Sequence, residues 1–173
     1  AFLKHIKKSA QKEFQLELLP VISGHIGKVY NEDANSLVKR ICGDVLYLDP
    51  PYNARQYCSN YHVLETIAKY DNPELRGVTG LRNSSNQKSA FCSKRLVKEA
   101  FNNLIKNANF HYIFLSYNNE GLMSLEMIQE IMSRYGEYSY FTREYKRFKA
   151  DREENRNIVA DSTTEYLHCL VKK

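Results

Sequence analysis

Two rhythms of apolar residues alternate along the chain. Phe2, Leu3, Ile6 and Ala10 share one face of a basic amphipathic helix near residues 2–14. After Pro20 the pattern predicts a short strand from His25 to Tyr30. Leu37, Val38 and Ile41 mark a short helix starting near Asn35. Val45-Leu46-Tyr47-Leu48 is a continuous apolar run of strand length, the pattern of a central parallel strand buried on both faces. Tyr57, Tyr61, Leu64 and Ala68 recur at helical spacing and stop before Asn72-Pro73.

Residues 71–92 are polar and read as a long loop, a kind of segment that is usually functional or mobile. Leu96, Val97, Ala100, Phe101, Leu104, Ile105 and Ala108 give the clearest helix, with Ser93 as its expected N-cap. Tyr112-Ile113-Phe114-Leu115 is a second buried-strand run. Ser124 is placed to cap a helix carrying Leu125, Ile128, Ile131 and Met132, with Gly136 as its stop. Strand-like stretches near 138–148 and 164–171 can pair as a long hairpin across the charged segment 149–163. Strand–helix–strand–helix followed by a closing strand pair predicts an α/β sheet wrapped by helices. Sites in such sheets lie at the carboxyl ends of the parallel strands, which here means after Leu48 and after Leu115.

Composition narrows this without changing it. The chain has 173 residues, 43% of them hydrophobic and 26% charged, with a net charge of +5. That suits one globular domain and excludes collagen, coiled coil and long disorder as the main architecture. No apolar run has the length of a membrane helix and no signal-peptide pattern opens the chain, so a soluble cytoplasmic protein is expected. Ala1 in place of methionine suggests a processed chain or a piece of a longer one. Cys42, Cys58, Cys92 and Cys169 form no CxxC, and Cys42 and Cys169 read as buried thiols. The histidines form no HxxxH, so no metal site is expected.

The candidate chemistry follows Leu48. Asp49-Pro50-Pro51-Tyr52 cannot continue a central strand, because neither proline has a backbone donor. The prolines fix φ and hold Asp49 and Tyr52 in a stiff turn. A carboxylate, free carbonyls and an aromatic face together suit a flat heteroaromatic ring with an exocyclic amine. The two N–H groups of that amine can donate to the Asp49 carboxylate and the Pro50 carbonyl, drawing the nitrogen lone pair out of the ring. Tyr52 can stack on the ring, which is worth roughly 1–3 kcal/mol and offsets much of the cost of flipping a base.

These residues carry a resemblance. VLYLDPPYNARQY (45–57) is similar to the DPPY motif of adenine-specific DNA methyltransferases, in a Dam-like restriction–modification branch. NYHVLETIAKYDNPELRG (60–77), YIFLSYNNEG (112–121), YKRFKADRE (145–153) and TEYLHCLVKK (164–173) resemble the segments that follow in that branch, in the same order. The resemblance implies a Rossmann-like S-adenosylmethionine-dependent methyltransferase sheet that closes with an antiparallel strand pair. It implies that Asp49, Pro50 and Tyr52 form the target-adenine pocket, with Pro51 shaping it, and that methyl passes directly from S-adenosylmethionine to the amine of duplex DNA. It also implies a cofactor contact by an acidic residue upstream, at the position of Asp33 in VYNEDANSL (29–37). A cognate restriction endonuclease is a further implied partner.

The departure is in the glycines at 24, 27, 43, 77, 80, 121 and 136. None makes the FxGxG loop that wraps the methionine part of the cofactor in such enzymes. The expectation is therefore a carboxyl-terminal portion, incomplete at its amino-terminal side, with an incomplete cofactor site and no activity alone. The implied organisation is a helix and linker at 1–27 and a partial catalytic domain at 28–173.

Arg55 and Gln56 directly follow the turn and are candidates for contact with DNA. Arg76, Arg82 and Lys88, in the one-sidedly basic stretch 71–98, are candidates for its backbone. The mixed-sign stretch 143–156 reads as a solvated hairpin. Ser116-Tyr117-Asn118-Asn119 is placed to line the second strand end. Two other functions fit the residues. One is methyl transfer to RNA or another planar amine; the other is a non-catalytic DNA-binding fragment.

Overall fold

The computed structural model describes residues 11–13, 15, 17–24, 26–146 and 162–173. The chain divides into two compact units, Ala1–Asn31 and Glu32–Lys173. In the first, the described residues are exposed and carry no strand, so the strand expected at 25–30 is absent from 26–30. Nothing there supplies the paired ladder that a strand needs. The helix expected near 2–14 lies almost wholly outside the described residues.

The second unit is mixed α/β. In chain order it runs α1 (Ala34–Leu37), β1 (Cys42–Leu48), α2 (Tyr57–Asn60), α3 (His62–Lys69), β2 (Leu75–Arg76), β3 (Leu81–Arg82), α4 (Val97–Asn107), β4 (Asn109–Asn118), α5 (Leu125–Met132), β5 (Gly136–Lys146) and β6 (Ser162–Lys172). The main sheet has the order β1-β4-β6-β5, and β2 and β3 form a small separate ribbon. β1 and β4 are parallel, with Leu46 beside Ile113 and Leu48 beside Leu115. β6 is antiparallel to both neighbours, and β5 and β6 form the expected closing pair along their whole length.

Alternation along β4 separates two faces. Ile113, Leu115 and Tyr117 are buried with Val97, Phe101, Leu104 and Ile105 of α4, Ile128, Ile131 and Met132 of α5, and Leu170 of β6. Side chains of this size each contribute about 1.5–3 kcal/mol when fully buried. Lys172 completes the layer by donating from Nζ to the carbonyls of Ile105 (2.8 Å), Lys106 (3.0 Å) and Ala108. A cation thus caps the carbonyl end of α4, where the helix dipole favours it.

Several expectations need correction. Among the described residues β1 is an edge strand of this sheet, not a central one, and Val45 and Tyr47 are exposed. Cys42 is accordingly exposed and Cys169 half-buried, whereas Cys92 is the buried thiol. The stripe from Tyr57 to Ala68 breaks at Tyr61 into α2 and α3, and Tyr57, Tyr61 and Leu64 face solvent. Ser93 does not cap α4; its carbonyl takes the N–H groups of Leu96 and Val97 in a preceding turn. Ser124 does cap α5, accepting from Met127 N–H at 3.2 Å. Gly136 opens β5 instead of ending α5, because a Cβ there would collide with the Val171 carbonyl. The 71–92 loop contains the β2–β3 ribbon, turned by Gly77 and Gly80 at positive φ.

Candidate functional site

β1 ends at Leu48, and the Asp49-Pro50-Pro51 turn redirects the chain across the carboxyl end of β4. Tyr52 folds back over that end. Its hydroxyl lies 3.0 Å from Asp49 Oδ1, to which it donates, and 3.1 Å from Ser116 Oγ. Its ring meets Tyr117 edge-on, with centroids 4.9 Å apart and planes at 62°. Its carbonyl accepts from Leu122 N–H at 2.9 Å and from the Tyr117 hydroxyl at 3.3 Å. Tyr117 is buried, and its oxygen in turn accepts from Met123 N–H at 3.3 Å.

Tyr52 is therefore held at both ends, by its backbone on the β4–α5 connection and by its hydroxyl on the two strand ends. Gly121 permits this: any side chain there would overlap the Tyr117 ring. Burial pushes the Tyr52 phenol up to about 12; the negative charge of Asp49 adds to this and the Ser116 hydrogen bond works against it. The phenol is thus protonated, and a hydrogen-bond donor, throughout the physiological range. Asp49 remains exposed, and Pro50 and Pro51 are half-buried beside it. A planar amine arriving from solvent would meet a carboxylate, the turn's carbonyls and an aromatic ring in one place.

The structure treats the remaining candidates differently. Asp33 is exposed at the N-cap of α1, and its Oδ1 accepts from Ser36 N–H at 2.9 Å. Its neighbour Glu32 pairs with Arg40. Arg55 is exposed just past the turn. Gln56 is half-buried, and its amide clamps the backbone of Ser89 at both ends, donating at 3.1 Å and accepting at 2.8 Å. Both ends of the amide are thus engaged with the chain's own backbone.

Arg82 is engaged in the same way. Its side chain is 9% exposed and grips Asp71 at 2.5 and 3.1 Å, with Thr66 Oγ1 at 3.4 Å. The pair holds the Asp71 carboxyl below its ordinary range. Arg76 is exposed and pairs with Glu74 at 3.2 Å; Lys88 is exposed. Asn119 is bound to the neighbouring strand. Its Oδ1 accepts from Thr163 Oγ1 and Thr164 N–H, at 2.9 and 3.1 Å, and ties the strand end to β6.

Two supports were not read from the sequence. The Gln56–Ser89 clamp joins residues 33 apart and leaves no local signal. The Tyr117–Gly121 contact had one, a glycine just past a strand end in a polar run. Among the described residues no group of His, Cys, Asp or Glu could hold a metal, and no helix is long and apolar enough to cross a membrane.

A parallel strand pair, one helix-covered face and a stiff acidic turn at the strand ends define an α/β protein of the class that meets its ligand at the carboxyl edge of the sheet. The chain belongs to the D12 class N6 adenine-specific DNA methyltransferase family, whose sequence profile matches residues 1–131. It is 56% identical over 173 residues to the type II methyltransferase M.NlaIII of Neisseria lactamica, covering 99% of this chain and 51% of that protein. It is 44% identical over 176 residues to the type II methyltransferase M.FokI of Planomicrobium okeanokoites, covering 99% and 27%. It is 41% identical over 136 residues to the modification methylase StsI of Streptococcus sanguinis, covering 78% and 21%. The chain thus spans about half the length of the first of these curated relatives and less of the others. No solved structure matches it.

Methyltransferases of this family use S-adenosylmethionine in general. Gly43, Gly121 and Gly136 lie against Phe110, Tyr117 and Val171, so they serve packing. Asp33, the expected cofactor contact, already uses one carboxylate oxygen to cap α1.

Proposed function

We propose that the whole protein is a site-specific adenine methyltransferase acting on duplex DNA, and that this chain supplies the turn that holds the target base. The observation that carries the reading is the Tyr52 hydroxyl set between Asp49 and Ser116 at the carboxyl ends of two parallel strands. The adenine amine donates one N–H to the Asp49 carboxylate and the other to the Pro50 carbonyl. Both acceptors pull the nitrogen lone pair out of conjugation and leave it directed at an electrophilic methyl group. Tyr52 stacks on the base and Pro51 keeps the turn rigid. When the methyl arrives, the amine is left with one proton too many, and Asp49 is the nearest group to take it.

Arg55 and Lys88, exposed near the turn's own loops, are the proposed phosphate contacts, with Arg76 secondary because Glu74 already neutralises it. A cognate endonuclease, as in restriction–modification pairs, and a cytoplasmic setting complete the reading. Asp33 remains the proposed cofactor-facing acid, through the oxygen that does not cap α1.

The test is Asp49→Ala in the natural full-length protein, with folding confirmed by circular dichroism. Transfer of labelled methyl to duplex DNA should fall about a hundredfold or more, as when one group aimed at transition-state charge is lost. Near-wild-type transfer would overturn the reading. Equal or greater labelling of structured RNA by the wild-type protein would move the substrate away from DNA.

A further inference from the structure

The Tyr52 hydroxyl has one proton and two neighbours. In the structure it donates to Asp49 Oδ1 at 3.0 Å while Ser116 Oγ stands 3.1 Å away on the other side. The carboxylate is the stronger acceptor, because hydrogen bonds to an ionised oxygen are about twice as strong as those between neutral groups. Without a base present, the tyrosine therefore occupies one of the lone-pair positions that Asp49 can offer an incoming amine. The phenol is half-buried, with its ring held against Tyr117 and its backbone carbonyl anchored. Ser116 is the other polar side chain the hydroxyl already touches. A serine hydroxyl donates or accepts, so it fits both states.

We propose that Ser116 is a positioning residue: it takes over the Tyr52 hydroxyl when the target amine claims Asp49. Before the base arrives, Ser116 donates to the tyrosine oxygen and Tyr52 donates to Asp49. After it arrives, the two hydroxyls rotate, Tyr52 donates to Ser116 Oγ, and Asp49 Oδ1 is free for the amine. No bond is made or broken and no proton changes owner; two hydroxyl rotors exchange partners. The ring of Tyr52 keeps its place through the exchange, which is what stacking on the base requires. This rests on the proposed base pocket.

The measurement is single-turnover methyl transfer by the natural full-length protein, with a double-mutant cycle between Tyr52 and Ser116. Ser116→Ala should slow transfer about tenfold, the worth of one buried hydrogen bond, and leave DNA affinity within about twofold. Ser116→Thr keeps the hydroxyl and should recover most of the rate. In a Tyr52→Phe background Ser116→Ala should cost less than about twofold, because there is no phenol left to receive. A loss of the same size in both backgrounds, or a normal rate for Ser116→Ala, would overturn the proposal. Asp49→Ala separates the two failures. If that variant is inactive and the cycle is additive, only the role of Ser116 fails; if it is active, the pocket fails and Ser116 with it.

Discussion

The two faces of the main sheet are built from the same strands and end in different states. On one face Ile113, Leu115, Leu170 and Tyr117 are fully covered by α4 and α5. On the other, Val45 is 55% exposed, Tyr47 61%, Tyr112 41%, Phe141 67% and Leu167 38%. These residues are as apolar as their covered counterparts. A sheet that faces water on one side normally alternates apolar with polar residues; one covered on both sides carries continuous apolar runs. Val45–Leu48 and Tyr112–Leu115 are of the second kind. The sequence is patterned for two covered faces, and among the described residues one is covered. The candidate turn sits where the two faces meet: Tyr117 belongs to the covered face and Ser116 to the open one, and Tyr52 bridges them.

The sharpest way to break this comparison is from the covered side. Phe101 is fully buried at the centre of α4. Phe101→Ala should cost about 3–5 kcal/mol in urea unfolding of the 173-residue chain, a large share of the stability of a domain this size. A loss below about 1 kcal/mol would mean that the layer under α4 and α5 is not the stabilising core.

A second effect on the covered side is electrostatic. His168 is buried, its Nδ1 meets the Tyr138 hydroxyl at 2.8 Å, and its Nε2 has no partner among the described residues. Burial lowers the ring from 6.5 to about 4. The folded state thus refuses a proton that the unfolded chain accepts. Stability from this group is fully present above about 6.5, falls as pH drops through the window, and is lost below about 4, amounting to roughly 3 kcal/mol at most. Replacing the ring by His168→Leu should flatten that part of a stability-against-pH curve. An unchanged slope would show that the ring is not held neutral by burial.

The legible and the illegible parts of the fold separate along the same line. The apolar runs located β1 and β4, the helical stripe located α4, and Ser124 marked the start of α5, because each signal is local and periodic. The sidedness was hidden. A run apolar on both faces does not say which face is covered, so β1 read as central and Cys42 as buried, and both reversed. The turn was legible because Pro50-Pro51 dictates its stiffness without help from the rest of the chain. The partners of the side chains after it were not: Gln56 on Ser89 and Arg82 on Asp71 are contacts that no local pattern announces. Read alone, neither side chain showed the partner it holds. Basic and amide groups near a site are ambiguous in this way, because the same donors that reach a phosphate also satisfy a nearby carbonyl or carboxylate.

The smallest expected effect tests the open face directly. Phe141 pairs with Leu167 across β5 and β6 and is the most exposed of the large residues on that side. Phe141→Ser removes an aromatic ring that is largely in water already, so the 173-residue chain should change by no more than about 0.5 kcal/mol, the usual range for a surface substitution. The same variant should bind less of a dye that fluoresces on apolar surface, since it shrinks a contiguous patch. In the natural full-length protein the comparison becomes quantitative. If the open face is covered there, Phe141→Ser should cost several times more than in the 173-residue chain, in the range of a core substitution. Equal small effects in both would show that the apolar pattern of these strands is not written for burial on this side. A large loss already in the 173-residue chain would show that the two faces do not differ in the way the exposures indicate.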